Sequence, residues 1–578
     1  MKKFTVTPNR LKFNYSPRTL ATVFALIIFL SSCLSGQLGK NNSGQFRNGM
    51  VVAAHPLAAK VGLDILKSGG NAVDAAVAVQ FALAVVYPNA GNIGGGGFLV
   101  YRSDNGETAT LDFREKAPAT ASRNMYLDSA GNAITDKSLY GHLAAGVPGS
   151  VAGMVEAHQK YGKLSWYKVV QPAINLARNG FELTERQASE INSNQDDFLK
   201  YNPGKEYYIK SGLWKGGDIV IQEDMAKTFE LIRDKGRDGF YDGPVAQLIV
   251  SEINAGGGLI GADDLKNYQA VWRKPITGFY KEYKIITMPA PSSGGVALMQ
   301  LLKSVEPYPL KRWGFNSDST VQLMVEAERR VYADRATHLG DPDFYTVPQS
   351  QLIENSYSLS RMKSMDWNRA TLSSDVKSGV VAPKESEETT HFSIVDRYGN
   401  AVSVTTTLNG SYGSKVFVKG AGFLLNNEMD DFSVKPGTPN MYGLVGGEAN
   451  SIAPNKRMLS SMTPAILEKD GKLFMVVGTP GGSTIITSVF QTILNVVEFD
   501  KGMQAAVNAK KFHHQWLPDE VFSEKGAIDS LTKVKLQKKG YKIIERGAIG
   551  RVDAILKTPW GYYQGGADPR GDDVALGW

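Results

Sequence analysis

The chain has 578 residues, 42% of them hydrophobic and 21% charged. That is enough apolar material for a large core, as two to four domain-sized units or one elaborated domain, and it excludes disorder of the whole chain. The net charge of +7 owes most to Lys2, Lys3, Arg10, Lys12 and Arg18, with no acidic residue in the first 32; the remainder is close to neutral, which argues against a nucleic-acid partner.

The basic start, the apolar run Leu20–Leu30 and the small residues after it read as an export signal over residues 1–32. The single cysteine follows in Leu30-Ser31-Ser32-Cys33. This resembles a bacterial lipobox, which implies lipidation of Cys33, a lipid anchor to a membrane, and a place in the cell envelope, in the periplasm or at the outer membrane. An ordinary signal with an incidental cysteine, or a short uncleaved anchor, is the plainer alternative. A lipidated Cys33 leaves no thiol for a disulfide or a thiolate metal site.

Residues 33–48 have the Gly, Asn and Ser content of a flexible tether. The folded body then opens with a short strand at Met50–Ala54. Pro56 at a helix start, with Leu57, Val61 and Ile65 at four-residue spacing and Gly69-Gly70 as a stop, predicts an amphipathic helix. Ala72–Val86 is a second helix, buried, because about 15 apolar residues fall short of the ~20 that span a bilayer. Gly94–Gly97 lacks the Gly-Lys-Ser/Thr ending of a phosphate cradle and precedes the strand Phe98–Tyr101, so it reads as close backbone packing. Leu111–Glu115 is a short strand ending in charge. Residues 164–267 are predominantly helical, with amphipathic runs at Trp166–Ala177 and Met225–Ile232, and Ser292-Ser293-Gly294-Gly295 predicts a capped start to the helix Val296–Leu302.

After Lys384 the pattern changes to strict alternation. Thr389 to Asp396, the turn Tyr398-Gly399-Asn400 and Ala401–Leu408 predict a hairpin with a threonine at its first position. The polar stretch Lys384-Glu385-Ser386-Glu387-Glu388 precedes it. If the backbone is cut before Thr389, one residue carries both a hydroxyl nucleophile and a free α-amine to act as its base.

Several motifs occur in order: Asp112-Phe113-Arg114-Glu115, Ser292-Ser293-Gly294-Gly295, Thr389-Thr390-His391-Phe392-Ser393, Thr407-Leu408-Asn409, Leu425 to Phe432, Pro454-Asn455-Lys456-Arg457, Ser460-Ser461-Met462-Thr463-Pro464 and Gly478-Thr479-Pro480-Gly481-Gly482. From about Gly49 to its end the chain resembles the γ-glutamyltransferase (glutathione hydrolase) family of N-terminal nucleophile hydrolases. The resemblance implies self-cleavage between Glu388 and Thr389, with Thr389 as nucleophile and Thr407 orienting it. It implies Gly481 and Gly482 as the oxyanion hole, Arg114 with Ser460 and Ser461 for an α-carboxylate, and Asn409, Glu428 and Asp431 for an α-ammonium. Tyr442, in the Gly- and Pro-rich stretch Ser433–Glu448, then belongs to a lid.

The implied fold is a four-layer αββα sandwich built from a large piece, residues 49–388, and a small catalytic piece, residues 389–578, which remain associated as a heterodimer. The implied reaction passes the γ-glutamyl group of glutathione or a related donor to water, an amino acid or a dipeptide. The seven histidines show no ligand spacing; His391 reads either as an aid to processing or as a packed strand residue, and we expect no metal and no organic cofactor. Two alternatives are a glutaryl or cephalosporin acylase on the same scaffold, from which Asn409, Glu428 and Asp431 dissent, and a non-catalytic envelope lipoprotein that binds amino acids.

Overall fold

The computed structural model describes residues 45–204, 208–377 and 389–578. The export signal, Cys33, most of the tether and Glu388 lie outside the described residues.

The first elements form where the local chemistry directs. Pro56 opens the helix Pro56–Lys67, with His55 Nδ1 accepting from the Leu57 N–H at 3.2 Å. Asn71 and Asp74 form a reciprocal capping box at the start of Ala72–Val86, whose 15 residues are all buried. That helix is apolar all round because it is wrapped on all sides by Pro56–Lys67, Ser150–Tyr161, Trp166–Asn179 and a sheet. Among the described residues no helix is long and apolar enough to cross a membrane.

Two seven-stranded sheets, antiparallel throughout, pack face to face. The first runs Val574–Gly577, Met50–Ala53, Thr390–Val395, Ala401–Thr407, Gly96–Arg102, Thr108–Phe113, Val271–Arg273. The second runs Gln45–Phe46, Tyr563–Gly566, Asp553–Lys557, Lys472–Gly478, Ala465–Lys469, Tyr283–Thr287, Ile276–Tyr280. Ala72–Val86 covers the outer face of the first sheet, and Gly294–Val305 and Thr484–Val497 cover that of the second, which gives the αββα order expected. Each sheet mixes strands from before residue 378 with strands from after residue 388. Met50–Ala53 is hydrogen-bonded between Thr390–Val395 and Val574–Gly577, and the Asn48 N–H reaches the Trp578 carbonyl at 3.0 Å.

The glycine run supplies close approach. A Cβ on Gly94 would lie 2.1 Å from the Leu424 carbonyl oxygen, and one on Gly95 2.1 Å from that of Thr407. Ser293, by contrast, does not cap its helix through its side chain: its backbone is already helical, and its hydroxyl donates to the Ser460 carbonyl at 2.6 Å. The helical region 164–267 also holds a small two-stranded antiparallel sheet, Phe181–Glu182 with Ile219–Val220, that two-residue strands leave invisible to periodicity.

The sheets are also joined by charge. Arg102, at the end of its strand in the first sheet, donates from Nε to Glu468 of the second at 2.8 Å, and both side chains are buried. Removing Arg102 leaves the buried Glu468 to the half-buried Lys284, at 2.8 Å, on its other oxygen. Arg102→Ala is therefore expected to cost about 3 kcal/mol, read as a lowered urea midpoint; an unchanged midpoint would show the pair to be neutral.

Candidate active site

The hairpin register pairs His391 with Thr405 and Ser393 with Ser403. Its odd-numbered side chains face the second sheet, where Ser393 donates to the Asp553 carbonyl at 3.1 Å and Ser403 to that of Val477 at 3.2 Å. Even-numbered Phe392, Ile394, Val402 and Val404 join the core on the helix side. Thr389 and Thr407 share the inter-sheet face, at the end where the hairpin opens. His391 sits deeper on that face, bonded to Thr405 Oγ1 at 2.9 Å and Ser393 Oγ at 3.0 Å, and its ring covers Gly478. Burial pushes its imidazole down to about 3, so it is neutral near pH 7 and acts as a packed strand residue.

At the open end a cavity of about 20 Å³ is lined by Arg114, Thr389, Thr407, Asn409, Glu428, Asp431, Tyr442, Ser460, Ser461 and Gly482, with Leu444, Met462 and Ile485. Ten of the eleven candidate pocket and catalytic residues thus meet in one place. Gly481 does not line the cavity: a Cβ there would lie 2.6 Å from Thr484 Oγ1 and 3.2 Å from Gly550 Cα. Gly482, at φ +52°, carries Tyr442 directly over it, with Cδ1 2.4 Å from where a Cβ would stand; only glycine fits both the turn and the ring.

Asn409 has a left-handed backbone, φ +74°, a conformation costly outside glycine unless held. Its N–H donates to Thr407 Oγ1 at 2.7 Å, its Nδ2 to the Asn427 carbonyl at 3.0 Å, and its carbonyl accepts from the Tyr442 hydroxyl. The Asn409 Oδ1 is buried and takes no hydrogen bond among the described residues, which leaves a ready acceptor at the cavity wall. Thr407 and Glu428 line the same cavity.

Charge is the dominant feature of the site. The buried Arg114 guanidinium meets Glu428 at 2.5 Å, Asp431 at 2.5 Å and Glu115 at 3.3 Å, and also donates to the carbonyls of Met458 and Leu459. Three buried carboxyls compete for one cation. Burial raises Glu428 well above the usual carboxylate range, raises Asp431, and pushes Glu115 up to about 7, with Arg114 opposing the shift in each case. An incoming ammonium relieves this excess of acid, so the pocket wall is suited to a cationic group. Asp430 points elsewhere: it accepts from Ser138 and from the Met441 N–H, both at 2.7 Å.

The stretch 433–448 lies closed over the cavity. Asn440 donates to Asp431 at 2.8 Å and folds back to accept from the N–H groups of Tyr442 and Leu444, at 3.0 and 3.1 Å. Sequence reasoning found this loop but not Asn440, Glu115 or Arg335. Arg335 lies behind Ser461, donating to its hydroxyl at 3.0 Å, on the helix Asp318–His338. That helix buries Glu326, Glu328, Arg329, Arg330, Asp334 and Arg335, a charge content that reads as a solvated face.

The sequence profile described as Gamma-glutamyltranspeptidase matches residues 58–578. The glutathione hydrolase proenzyme of Escherichia coli (strain K12) is 48% identical over 535 residues, 92% of each chain. Among solved structures, the cephalosporin acylase from Bacillus halodurans superposes with a TM-score of 0.82 at 25% identity, covering 94% of this chain and 98% of that one. The Helicobacter pylori gamma-glutamyltranspeptidase superposes with a TM-score of 0.56 at 44% identity, over 59% of this chain and 97% of that one.

The acid cluster makes stability depend on pH. Glu115 holds its proton to about 7 when folded against 4.5 when unfolded, so its contribution is fully present below 4.5 and is lost as pH rises through 7. Glu115→Gln is expected to flatten the fall in thermal midpoint between those values. An unaltered slope would remove Glu115 from the titrating set.

Proposed function

The chain belongs to the gamma-glutamyltranspeptidase family, and we propose a reaction and a set of residue roles on that footing. The protein is an enzyme made as a self-processing precursor, and it removes the γ-glutamyl group from glutathione-type donors by hydrolysis or transfer. The observation that carries the assignment of roles is the meeting of Thr389 and Thr407 with Arg114, Asn409, Glu428 and Asp431 around one small cavity.

Cleavage before Thr389 frees its α-amine, whose ordinary pKa of about 7.7–8.0 suits a base near neutral pH. The amine takes the hydroxyl proton as Thr389 Oγ1 attacks the γ-carbonyl carbon. The oxyanion so formed is met by the backbone N–H of Gly482, which lines the cavity, joined by that of Gly481 behind it, just before the helix Thr484–Val497. Each such donor is worth about 2.7–4 kcal/mol in the transition state. Collapse expels the amine with the proton and leaves a γ-glutamyl ester on Thr389, which water or an amino acid then resolves. Thr407 orients the nucleophile. Arg114, Ser460 and Ser461 take the donor's α-carboxylate, while Asn409 Oδ1, Glu428 and Asp431 take its α-ammonium.

A cavity of about 20 Å³ has room for about one water, so a donor must displace Tyr442 and its loop before it can bind. The same ring, returned, shields the ester. A glutaryl donor lacks the ammonium and leaves the three carboxyls sharing Arg114 with no added cation; this disfavours the acylase reading, although the scaffold is shared. Both sheets mix strands from the two sides of the cut, which supports a lasting association of the pieces. The lipid on Cys33 and the envelope location complete the reading.

Intact mass and release of a chromogenic γ-glutamyl anilide test the reaction together. Wild type should appear as two pieces and turn over; Thr389→Ala should remain one chain and be inactive. An uncut chain with full activity defeats the reading. A glutaryl anilide should react at least about 100-fold more slowly than the γ-glutamyl one, and an equal rate would restore the acylase. Cys33→Ser should move the enzyme from the membrane fraction to the soluble one with its activity intact; retention on the membrane would rule out the lipid anchor.

A further inference from the structure

We infer that Arg335 is a positioning residue for the α-carboxylate subsite, holding the Ser461 hydroxyl, and through Ser293 the Ser460 segment, so that both serines present their protons to the donor. This rests on the assignment of that subsite made above, and it adds a residue that does not itself line the cavity.

The geometry is specific. Arg335, 5% exposed, donates from Nε to Ser293 Oγ at 2.9 Å and from Nη2 to Ser461 Oγ at 3.0 Å. Ser293 passes the contact on: its hydroxyl donates to the Ser460 carbonyl at 2.6 Å and its N–H to the same oxygen at 2.7 Å. A guanidinium only donates, and a hydroxyl has one proton. Ser461 Oγ must therefore accept from Arg335, which leaves its own O–H to give away. Ser460 is arranged alike, its Oγ accepting from the Met462 N–H at 3.2 Å. Both serines line the cavity, so two O–H donors with their acceptor side already engaged converge on whatever binds there. An oxygen anion is the ligand that matches.

Charge points the same way. On the same helix Arg330 contacts Glu326 at 2.6 Å and Arg329 contacts Asp519 directly. Arg335 has no such partner: among the described residues both its hydrogen-bond partners are neutral hydroxyls. Asp431 acts on it only over a longer distance and is itself bonded to Arg114 and Asn440. A buried cation without a contacting carboxylate is costly. Here it stands one hydroxyl behind the cavity wall, where its charge polarises the Ser461 O–H toward an incoming carboxylate.

The test compares two anilides with the same leaving group, γ-glutamyl 4-nitroanilide and 4-aminobutyryl 4-nitroanilide, which lacks only the α-carboxylate. In Arg335→Met we expect normal self-cleavage, a KM for the γ-glutamyl anilide raised about tenfold or more, and kcat within about twofold. Turnover of the 4-aminobutyryl anilide should equal that of wild type. Ser461→Ala should likewise raise the KM for the γ-glutamyl anilide, and the double variant should be no worse than the poorer single one. Equal loss on both anilides, a loss confined to kcat, or additive effects would overturn the inference. If Arg335→Met does not mature, Arg335→Lys, which keeps the charge but cannot reach both serines, is read by the same comparison. Failure of both to mature would make Arg335 a folding residue and overturn the inference as well. Wild type that does not distinguish the two anilides would sink the subsite assignment itself, and this inference with it.

Discussion

Thr390–Val395 is hydrogen-bonded along both edges, to Met50–Ala53 on one side and to Ala401–Thr407 on the other. With both neighbours in register, the side chain of every second residue is fixed toward the opposing sheet, and a slip of one residue would turn Thr389 away from Thr407 and into the helix layer. Much else follows from that register. It sets the polar row His391, Ser393, Ser403 and Thr405 between the sheets and brings the ends of the two strands to the place where Asn409 leaves in a left-handed turn. Gly95 lets the neighbouring chain approach the Thr407 carbonyl closely, and Gly94 does the same at Leu424.

Around this frame the protein accepts a large electrostatic cost. Three carboxyls share Arg114 in a buried site, and burial drives all three toward their protonated forms. Such a cluster is poor for stability and good for selectivity, since the group that relieves it must bring positive charge to a defined point. The lid belongs to the same balance. Asn440 is bonded to Asp431 and Tyr442 to Asn409, so residues assigned to the substrate also hold the loop shut. On the proposed roles, donor and loop draw on the same two residues, Asp431 and Asn409, which would couple binding to opening.

Much of this was legible in the sequence. Ala72–Val86 was readable to the residue because an apolar run too short to span a bilayer, with no polar face, has only the interior to go to. The hairpin was readable because one face is apolar and the other carries small hydroxyls. The site residues came from motif resemblance, since a single Arg114 or Asn409 has no local signature. What escaped depends on contacts far apart in the chain. Arg335 lies on a helix whose charges suggest solvent but whose partners, Ser293 and Ser461, come from two other segments. Ser293 looked like a cap because serine before a helix usually is one, yet the Ser460 carbonyl competes for its hydroxyl and wins. Glu115 reads as the polar end of a strand, and only the packing of Arg114 against Glu428 and Asp431 shows it to be interior.

Met50–Ala53 has consequences for the order of events in the life of the molecule. It lies between a strand that follows the cut and the last strand of the chain, so its outer side in the first sheet stays open until residues 574–577 have been made and have docked. A chain nicked before that moment would present a bare β-edge on either half, with nothing to guide the halves back into alignment. Assembly must precede scission, and the tight interleaving makes maturation a one-way step: the finished particle, once pulled apart, has lost the covalent thread that wove it.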